Sequence, residues 1–365
     1  MNFLKNNFFE KNVSQIALGV NKTGNKNSTD SECFEKQRIY FYHKAMSLGV
    51  NFFDTAELYG GGYSEEVLGL ALKNKRQQNV ICTKFNARNS DSESLRLSLE
   101  NSLRRLKTDY IDIYLAHWVS PYTPLEDLID SLNKFTNEGK ILSYGIGNAS
   151  ETEIKDFYFK NKCKPFIIEN EYNLLEQDAE KEIIPFCKEN DCLFMSYSPF
   201  LQGTKVEFNK DIIAIKNKYS CTTNQLMLAW VAKQNVISVV RTLNLQHLQE
   251  NIDALKIDLT NFELDTISNC FRIKTSDIDI DDVDIENENC DYFSCEDAIQ
   301  NKLDLIPSPE LLSTRVEKGF DLPPLRTRYR NGKYQILKDF YFSEIKKYWA
   351  WKLTNKKTIK VYVFP

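Results

Sequence analysis

Four ionisable side chains stand at or just beyond the ends of predicted strands. Asp54 ends a short apolar run that follows Gly49, and Tyr59 lies in the turn-rich loop after it. Lys84 and His117 end two further apolar runs. An acid at a strand end beside a phenol in the following loop is a possible catalytic pair, because both groups can take part in proton transfer. Taken singly, each residue is more often structural than catalytic: Asp54 would be a strand cap, Tyr59 a packing aromatic, Lys84 a surface amine and His117 a core histidine.

The elements that must position these residues alternate between short apolar strands and amphipathic helices. The predicted strands cover residues 16–20, 50–54, 80–84, 111–117, 141–148, 166–169, 193–197 and 236–240. Helices are predicted at residues 34–47, 64–73, 92–106, 124–136, 150–159, 179–189, 245–255 and 261–270, with further helical segments ending near residue 233. Eight such repeats over about 250 residues indicate an α/β protein with a (β/α)8 TIM barrel.

A doubly wound sheet is the structural alternative to the barrel. The first strand is not followed by the G-x-G-x-x-G spacing of a dinucleotide-binding turn. The three glycines at 60–62 lack that spacing and are interpreted as flexible backbone. In the favoured barrel, the C-terminal ends of the strands meet at one rim, which would bring the four ionisable residues together.

Composition excludes several classes of protein. The chain has 365 residues, is 42% hydrophobic and 27% charged, and carries a formal net charge of −4. This gives no reason to expect whole-protein attraction to nucleic acid or lipid. Nine cysteines without a C-x-x-C pair and three histidines indicate reduced thiols and no metal site. Without a membrane-spanning run or a leader-like apolar segment, the expected location is cytoplasmic.

Composition shifts divide the chain into three parts. Residues 1–273 form the predicted barrel domain, and the acidic residues 274–291 are predicted to be a solvated linker, with or without a short strand. Residues 292–365 are predicted to form a small basic α+β domain. Its strand-like runs cover residues 325–330, 334–337 and 359–364, and its helix covers 343–353.

Several separated motifs over about residues 13–270 resemble the aldo-keto reductase family. They are Asp-Thr-Ala-Glu-Leu-Tyr-Gly at 54–60, Ser-Glu-Glu-Val-Leu-Gly at 64–69, Cys-Thr-Lys-Phe at 82–85, Asp-Ile-Tyr-Leu-Ala-His-Trp at 112–118, Gly-Ile-Gly-Asn at 145–148 and Ser-Tyr-Ser-Pro-Phe at 196–200. The resemblance implies a catalytic tetrad of Asp54, Tyr59, Lys84 and His117. In it Tyr59 donates a proton, Lys84 held charged by Asp54 supports the phenol, and His117 orients the substrate oxygen.

The resemblance also implies a nicotinamide cofactor, NADP(H) in the first place and NAD(H) as the alternative. The implied cofactor-binding residues are Asn148, Glu169, Tyr197, Ser198, Arg241, Asn244, His247, Glu250 and Asn251. Asn148 would hold the carboxamide, Tyr197 would stack on the nicotinamide ring, and Ser198 would approach the pyrophosphate. Glu169 replaces a usual Gln. Asn244 stands where a Lys or Arg usually meets the 2′-phosphate, which leaves Arg241 to compensate.

The tail resembles, through shorter motifs, the ParB/sulfiredoxin-type domain. The motifs lie at residues 319–326, 331–337, 346–352 and 358–363. Sulfiredoxin chemistry needs a cysteine near the turn before the last helix, and because the last cysteine is Cys295 we reject that activity. Docking of a partner or substrate is the preferred role of this domain, and contact with nucleic acid through its basic and aromatic residues is the alternative.

Two functional hypotheses follow. The first is an NAD(P)H-dependent oxidoreductase that reduces an aldehyde or ketone, with a sugar or a secondary metabolite as candidate substrates and Tyr59 as proton donor. The second is a nicotinamide-binding regulatory protein whose C-terminal domain contacts a protein partner or nucleic acid. The intact tetrad favours the first hypothesis. The substrate identity and the oligomeric state stay open at this point.

Overall fold

The computed structural model describes residues 1–4, 12–21, 31–161, 166–190, 192–200, 209–271, 275–285, 295–300, 307–320, 322–337, 341–354 and 356–364. The chain divides into two compact units, with the first running to Cys270 and the second beginning at Phe271.

Eight parallel strands close into a barrel in the first unit. After a short antiparallel pair, β1 (Phe3–Leu4) and β2 (Val13–Ser14), the barrel strands are β3 (Ile16–Gly19), β4 (Phe52–Asp54), β5 (Val80–Phe85), β6 (Ile111–Ala116), β7 (Ile141–Gly147), β8 (Phe166–Glu171), β9 (Leu193–Tyr197) and β10 (Ile237–Val240). Their order round the barrel follows the chain, and β10 closes it against β3. The predicted (β/α)8 barrel is confirmed.

The helices of this unit follow the strands. They are α1 (Ser31–Ser47), α2 (Tyr63–Ala71), α3 (Ser92–Leu106), α4 (Leu125–Asn137), α5 (Glu151–Lys160), α6 (Ile183–Glu189), α7 (Lys210–Lys218), α8 (Thr223–Ala232), α9 (Leu245–Ala254) and α10 (Asn261–Phe271). Side-chain caps fix several starts: Asp91 caps α3, and reciprocal capping pairs Ser150 with Glu153 and Thr222 with Gln225. In the part of the chain that the structure describes, no helix is long and apolar enough to cross a membrane.

The predicted helix at 179–189 is shorter in the structure. A 3₁₀ turn covers Asp178–Glu180, and α6 starts only at Ile183. Pro185 explains the late start, because proline has no backbone N–H and fits a helix only in its first turn. The loop that carries Tyr59 is also a 3₁₀ turn, Tyr59–Gly62, which the sequence did not predict.

The second unit is a five-stranded sheet with helices. Its strands are β11 (Thr275–Asp279), β12 (Val283–Asp284), β13 (Leu325–Arg330), β14 (Lys333–Ile336) and β15 (Thr358–Phe364), in the order β11-β15-β13-β14-β12. Its helices are α11 (Cys295–Ile299), α12 (Pro309–Glu317) and α13 (Tyr341–Leu353). It is therefore an α+β unit.

The acidic segment differs from the predicted solvated linker. Strands β11 and β12 belong to the C-terminal sheet, and Ile278 lies opposite Ile359 in the antiparallel pair of β11 with β15. Ile278, Ile280 and Val283 are buried in the core of this unit. The aspartates next to these residues face solvent. Buried and exposed side chains therefore alternate with the period of two that is typical of a half-buried strand.

Candidate active site

The inward-facing side chains of the barrel change from apolar to ionisable at the C-terminal rim. Phe52, Cys82, Leu115 and Ile167 belong to the apolar core inside the barrel. The residue two positions after each of them faces the same way, because side chains alternate along a strand. Those residues are Asp54, Lys84, His117 and Glu169.

Lys84 lies at the centre of this rim. Its ammonium donates hydrogen bonds to Oδ1 of Asp54 and, at 3.0 Å, to the backbone oxygen of Thr55. Oε2 of Glu169 lies 3.2 Å from the same nitrogen. All three charged side chains are at most 5% exposed. Lys84 therefore contacts two buried carboxyl groups, one from β4 next to it and one from β8 across the barrel.

Tyr59 approaches Lys84 from the 3₁₀ turn after β4. Its ring centroid lies 5.5 Å from Nζ of Lys84 and 5.7 Å from the imidazole of His117, which it meets edge-on. The turn is held by Gly60 and Gly61, whose φ angles of 61° and 63° are in the left-handed region that favours glycine. The four predicted catalytic residues thus lie on one rim.

The electrostatics of the rim are set by burial and by this cluster. Burial would lower the pKa of Lys84, but Asp54 and then Glu169 hold the pKa of Lys84 well above its usual value. Burial raises the pKa of Tyr59, and the charge of Lys84 opposes that increase. Lys84 is therefore a permanent cation whose field favours the phenolate of Tyr59.

His117 is held rigidly at the end of β6. Its backbone N–H donates to the oxygen of Phe85 at 3.1 Å, and its ring stacks on Trp118 with centroids 3.9 Å apart and planes 12° apart. His117 and Trp118 are 7% and 8% exposed. The stacking on Trp118 consequently leaves the imidazole beside Tyr59 with little freedom to turn.

Three predicted cofactor residues meet at the ends of β7 and β9. Asn148 donates from Nδ2 to the oxygen of His117 at 2.9 Å, and the phenol of Tyr197 donates to Oδ1 of Asn148 at 2.6 Å. Asn148 and Ser198 have φ angles of 53° and 55°, which are uncommon for residues other than glycine and tend to occur at functional sites. This part of the rim is polar and partly exposed.

The other predicted cofactor residues lie beyond β10 and on α9. Arg241 and His247 are exposed, whereas Asn251 is buried. Asn244 is the N-cap of α9, and its Oδ1 accepts from the backbone N–H groups of Gln246 and His247. No hydrogen bond or ion pair found among the described residues connects this group to Asp54, Lys84 or Glu169. The nine residues are thus divided between two regions of the rim.

Asp54, Cys82 and Glu169 bring potential metal-ligand atoms within 4.8 Å of one another. Lys84 contacts both carboxyl groups of this set. The ammonium of Lys84 supplies the positive charge that a metal ion would otherwise bring to these carboxyl groups. Asp54, Cys82 and Glu169 are therefore better interpreted as part of a carboxyl–ammonium cluster than as a metal site.

A family model described as the Aldo/keto reductase family matches residues 15–272, which is more than half of the chain. The chain belongs to the aldo/keto reductase family. As such it is an NAD(P)H-dependent oxidoreductase. The match ends at residue 272 and does not extend over the C-terminal unit.

Similar aldo/keto reductases and related enzymes come from fungi and bacteria. An aryl-alcohol dehydrogenase of Pestalotiopsis microspora is 30% identical over 292 residues, or 68% of this chain and 76% of that protein. An NADH-specific methylglyoxal reductase of Escherichia coli is 29% identical over 301 residues, or 68% and 92%. The crystal structure of an aldo-keto reductase from Klebsiella pneumoniae in complex with NADPH gives a TM-score of 0.66 at 28% identity, over 74% of this chain and 96% of that one.

The residues of this aldo/keto reductase fit a nicotinamide at the rim. Oε2 of Glu169 is buried and accepts no hydrogen bond from the described residues. It lies on the strand between those that end in Asn148 and Tyr197, so an amide, a phenol and a carboxyl group occupy neighbouring strand ends. Groups of this kind can pair with the carboxamide of a nicotinamide and pack against its ring.

The sequence did not predict three features of this site. Glu169 was expected in the cofactor site, and its ion pair with Lys84 was not predicted because it depends on the closure of the barrel. Thr55 was missed because it accepts the hydrogen bond from Lys84 through its backbone oxygen, a group that every residue type has. The third feature is the position of Cys82 beside Asp54 and Glu169. The sequence could have predicted it, since Cys82 lies two residues before Lys84 and so on the same face of β5.

Proposed function

We propose that this aldo/keto reductase reduces an aldehyde or ketone by hydride transfer, with Tyr59 as the proton donor. The observation that supports this most is the convergence of Asp54, Lys84, Tyr59 and His117 on one rim. Lys84 is ion-paired with Asp54, and the ring of Tyr59 lies near both Lys84 and His117. A bound nicotinamide supplies the hydride, because no side chain can do so.

Each residue of the tetrad has a role that follows from the charge developed in the reaction. The carbonyl oxygen becomes negative as the carbon accepts hydride, and it must then receive a proton. Tyr59 gives that proton and becomes a phenolate, which the ammonium of Lys84 stabilises. Asp54 keeps Lys84 charged and in place. His117, braced by Trp118, donates a hydrogen bond to the substrate oxygen and orients it.

The proposed cofactor site uses the two regions of the rim. Asn148 binds the carboxamide of the nicotinamide. Hydrogen bonds to His117 and from Tyr197 fix the orientation of the Asn148 side chain, and Glu169 faces the same carboxamide. The ring of Tyr197 packs on the nicotinamide, and Ser198 approaches the pyrophosphate. These roles are supported by the left-handed backbone at Asn148 and Ser198, since such strain is retained where function requires it.

We assign NADP(H) as the preferred cofactor, with NAD(H) as the alternative. Because Asn244 is used as the cap of α9, its side-chain oxygen already accepts from two backbone N–H groups. The side chains left for a 2′-phosphate are the guanidinium of Arg241 and the imidazole of His247 at the same end of the helix, followed by Glu250 and Asn251 for the adenine side. A helix N-terminus also favours an anion.

The test is turnover of the purified full-length protein. We expect loss of NADPH or NADH absorbance on addition of methylglyoxal, which the name of one relative gives, or of an aromatic aldehyde, the oxidised form of the aryl alcohol that the name of another gives. Equal absorbance loss with and without a carbonyl compound, over a broad panel of aldehydes and ketones, would contradict the proposal.

For the C-terminal unit, we retain the ParB/sulfiredoxin-type fold as a proposal, together with a docking role. The observation that favours a binding role is Tyr329, which is 54% exposed and lies between Arg328 and Arg330 on β13. If this strand binds nucleic acid, affinity of the full-length protein for a single-stranded oligonucleotide should fall steeply with salt, and Tyr329→Ala should weaken it. Absence of binding at low salt would leave docking of a protein partner as the role to pursue.

A further inference from the structure

Glu169 occupies a place in the barrel where an ionised carboxylate is poorly accommodated. It faces inward from β8 and is 4% exposed. The neighbouring strands place Gly147 and Met195 beside it, and neither residue can donate a side-chain hydrogen bond. The polar contact that the described residues give its Oε2 is Nζ of Lys84 at 3.2 Å, and Lys84 has a closer contact with Asp54.

Two carboxyl groups compete for the one ammonium. Asp54 accepts a short hydrogen bond from Lys84, and Thr55 takes a second through its backbone oxygen. If Asp54 and Glu169 were both ionised, the buried cluster would carry a net charge of −1. Burying such a charge is costly, and a protein avoids the cost by keeping a proton on one of the two acids. Because Asp54 has the closer contact, Glu169 is the acid that keeps it.

We propose that Glu169 is a positioning residue that controls the Tyr59–Lys84 pair through its own protonation state. When Glu169 is neutral, the charge of Lys84 is available to the phenolate that Tyr59 becomes after giving up its proton. When Glu169 is ionised, it shares that charge and repels the phenolate, so carbonyl reduction slows. This proposal rests on the proposed function, since it assigns a control of the same reaction.

The groups that face Glu169 support this direction. They are Asp54 from β4, Tyr59 from the turn after β4, and Cys82 and Lys84 from β5. Burial, and then the charge of Asp54, raise the pKa of Glu169 to about 8, with Lys84 opposing. Glu169 exchanges its proton with water and is not consumed: the carbonyl carbon gains the hydride, the oxygen gains the proton of Tyr59, and Tyr59 is reprotonated from solvent.

The first test is the pH profile of turnover for Glu169→Gln, which is a neutral variant of the same shape. Wild-type kcat should fall about tenfold per pH unit above about pH 8, whereas kcat of the variant stays level there. Glu138→Gln is the matched control, because it removes a carboxylate that pairs with Arg96 at the surface, and it should follow the wild-type profile. The same alkaline fall in wild type and Glu169→Gln would overturn the proposal.

The second test needs neither cofactor nor substrate. Infrared spectra of the protein alone should show the C=O stretch of a protonated carboxyl group that disappears as pH is raised through about 8. This band should be absent in Glu169→Gln and retained in Glu138→Gln. Persistence of the band in Glu169→Gln, or its absence from the wild type at neutral pH, would show that Glu169 does not hold the proton.

The third test follows Tyr59 itself by ultraviolet absorbance. The tyrosinate signal lost on Tyr59→Phe identifies this phenol, and Glu169→Gln should shift its titration to lower pH, because a neighbouring negative charge is removed. An unchanged titration would overturn the proposal. The last two tests are independent of turnover, so failure to reduce any carbonyl would count against the proposed function alone.

Discussion

The ammonium of Lys84 lies 3.2 Å from the carboxyl group of Glu169 on the far side of the barrel. This contact, together with the hydrogen bond to Asp54, makes Lys84 the central cation of the rim. It also means that the charge available to Tyr59 depends on both acids.

Removal of Lys84 should strongly destabilise the fold. Lys84→Met leaves two buried carboxyl groups without their cation, and losing one partner of a buried ion pair costs about 3–5 kcal/mol. Urea unfolding should show a correspondingly lower free energy of unfolding. The matched control is Lys140→Met, since Lys140 pairs with Glu100 at the surface and such pairs contribute about 0–1 kcal/mol. Equal losses in both variants would contradict the central place of Lys84.

Glu169 should make stability depend on pH. Its pKa is about 8 in the folded protein and about 4.3 in an unfolded chain. Between these values the folded protein holds a proton that the unfolded chain has released, so a rise in pH lowers the free energy of unfolding. The stability of Glu169→Gln relative to wild type should therefore increase from about pH 5 to about pH 8 and then level off. A constant difference would mean that the pKa of Glu169 is not raised.

Asn148 should matter for cofactor affinity more than for folding. Asn148→Gly tolerates the left-handed backbone but removes the amide that accepts from Tyr197. Loss of one such hydrogen-bonding group, worth about 0.5–1.5 kcal/mol, should weaken cofactor binding about two- to tenfold, as measured by fluorescence quenching. Asn74→Gly is the control, because Asn74 has a similar φ of 64° outside the rim. Unchanged affinity in Asn148→Gly would remove Asn148 from the cofactor site.

Arg241 should set the preference between the two nicotinamide cofactors. Arg241→Gln removes a cation beside the start of α9, and a hydrogen bond to a charged group is worth about 1.5–3 kcal/mol. The NADPH dissociation constant should therefore rise at least about tenfold while that for NADH changes little. Arg104→Gln, a change on the distant α3, should alter neither constant. Parallel changes for both cofactors would rule out selective contact with the 2′-phosphate.

The sequence predicted the barrel because its strands are short, continuously apolar and regularly spaced between helices. Strand ends such as Asp54 and Lys84 could be placed on one rim from topology alone. The pairing of Lys84 with Glu169 could not, since the distance between β5 and β8 is set by how the barrel closes. The acidic segment was misleading for another reason: its aspartates dominate the composition, while only the positions of Ile278, Ile280 and Val283 indicate strands.

The proton donor can be tested with one pair of conservative variants. Tyr59→Phe removes only the phenol oxygen, and Tyr63→Phe makes the same change on α2, where the phenol donates to Glu35 at 3.3 Å. With NADPH and an aldehyde that the wild type reduces, we predict that single-turnover reduction by Tyr59→Phe is slower by about 10²- to 10⁴-fold, with cofactor affinity unchanged. Tyr63→Phe should keep the wild-type rate. A Tyr59→Phe rate equal to that of wild type would show that another group donates the proton.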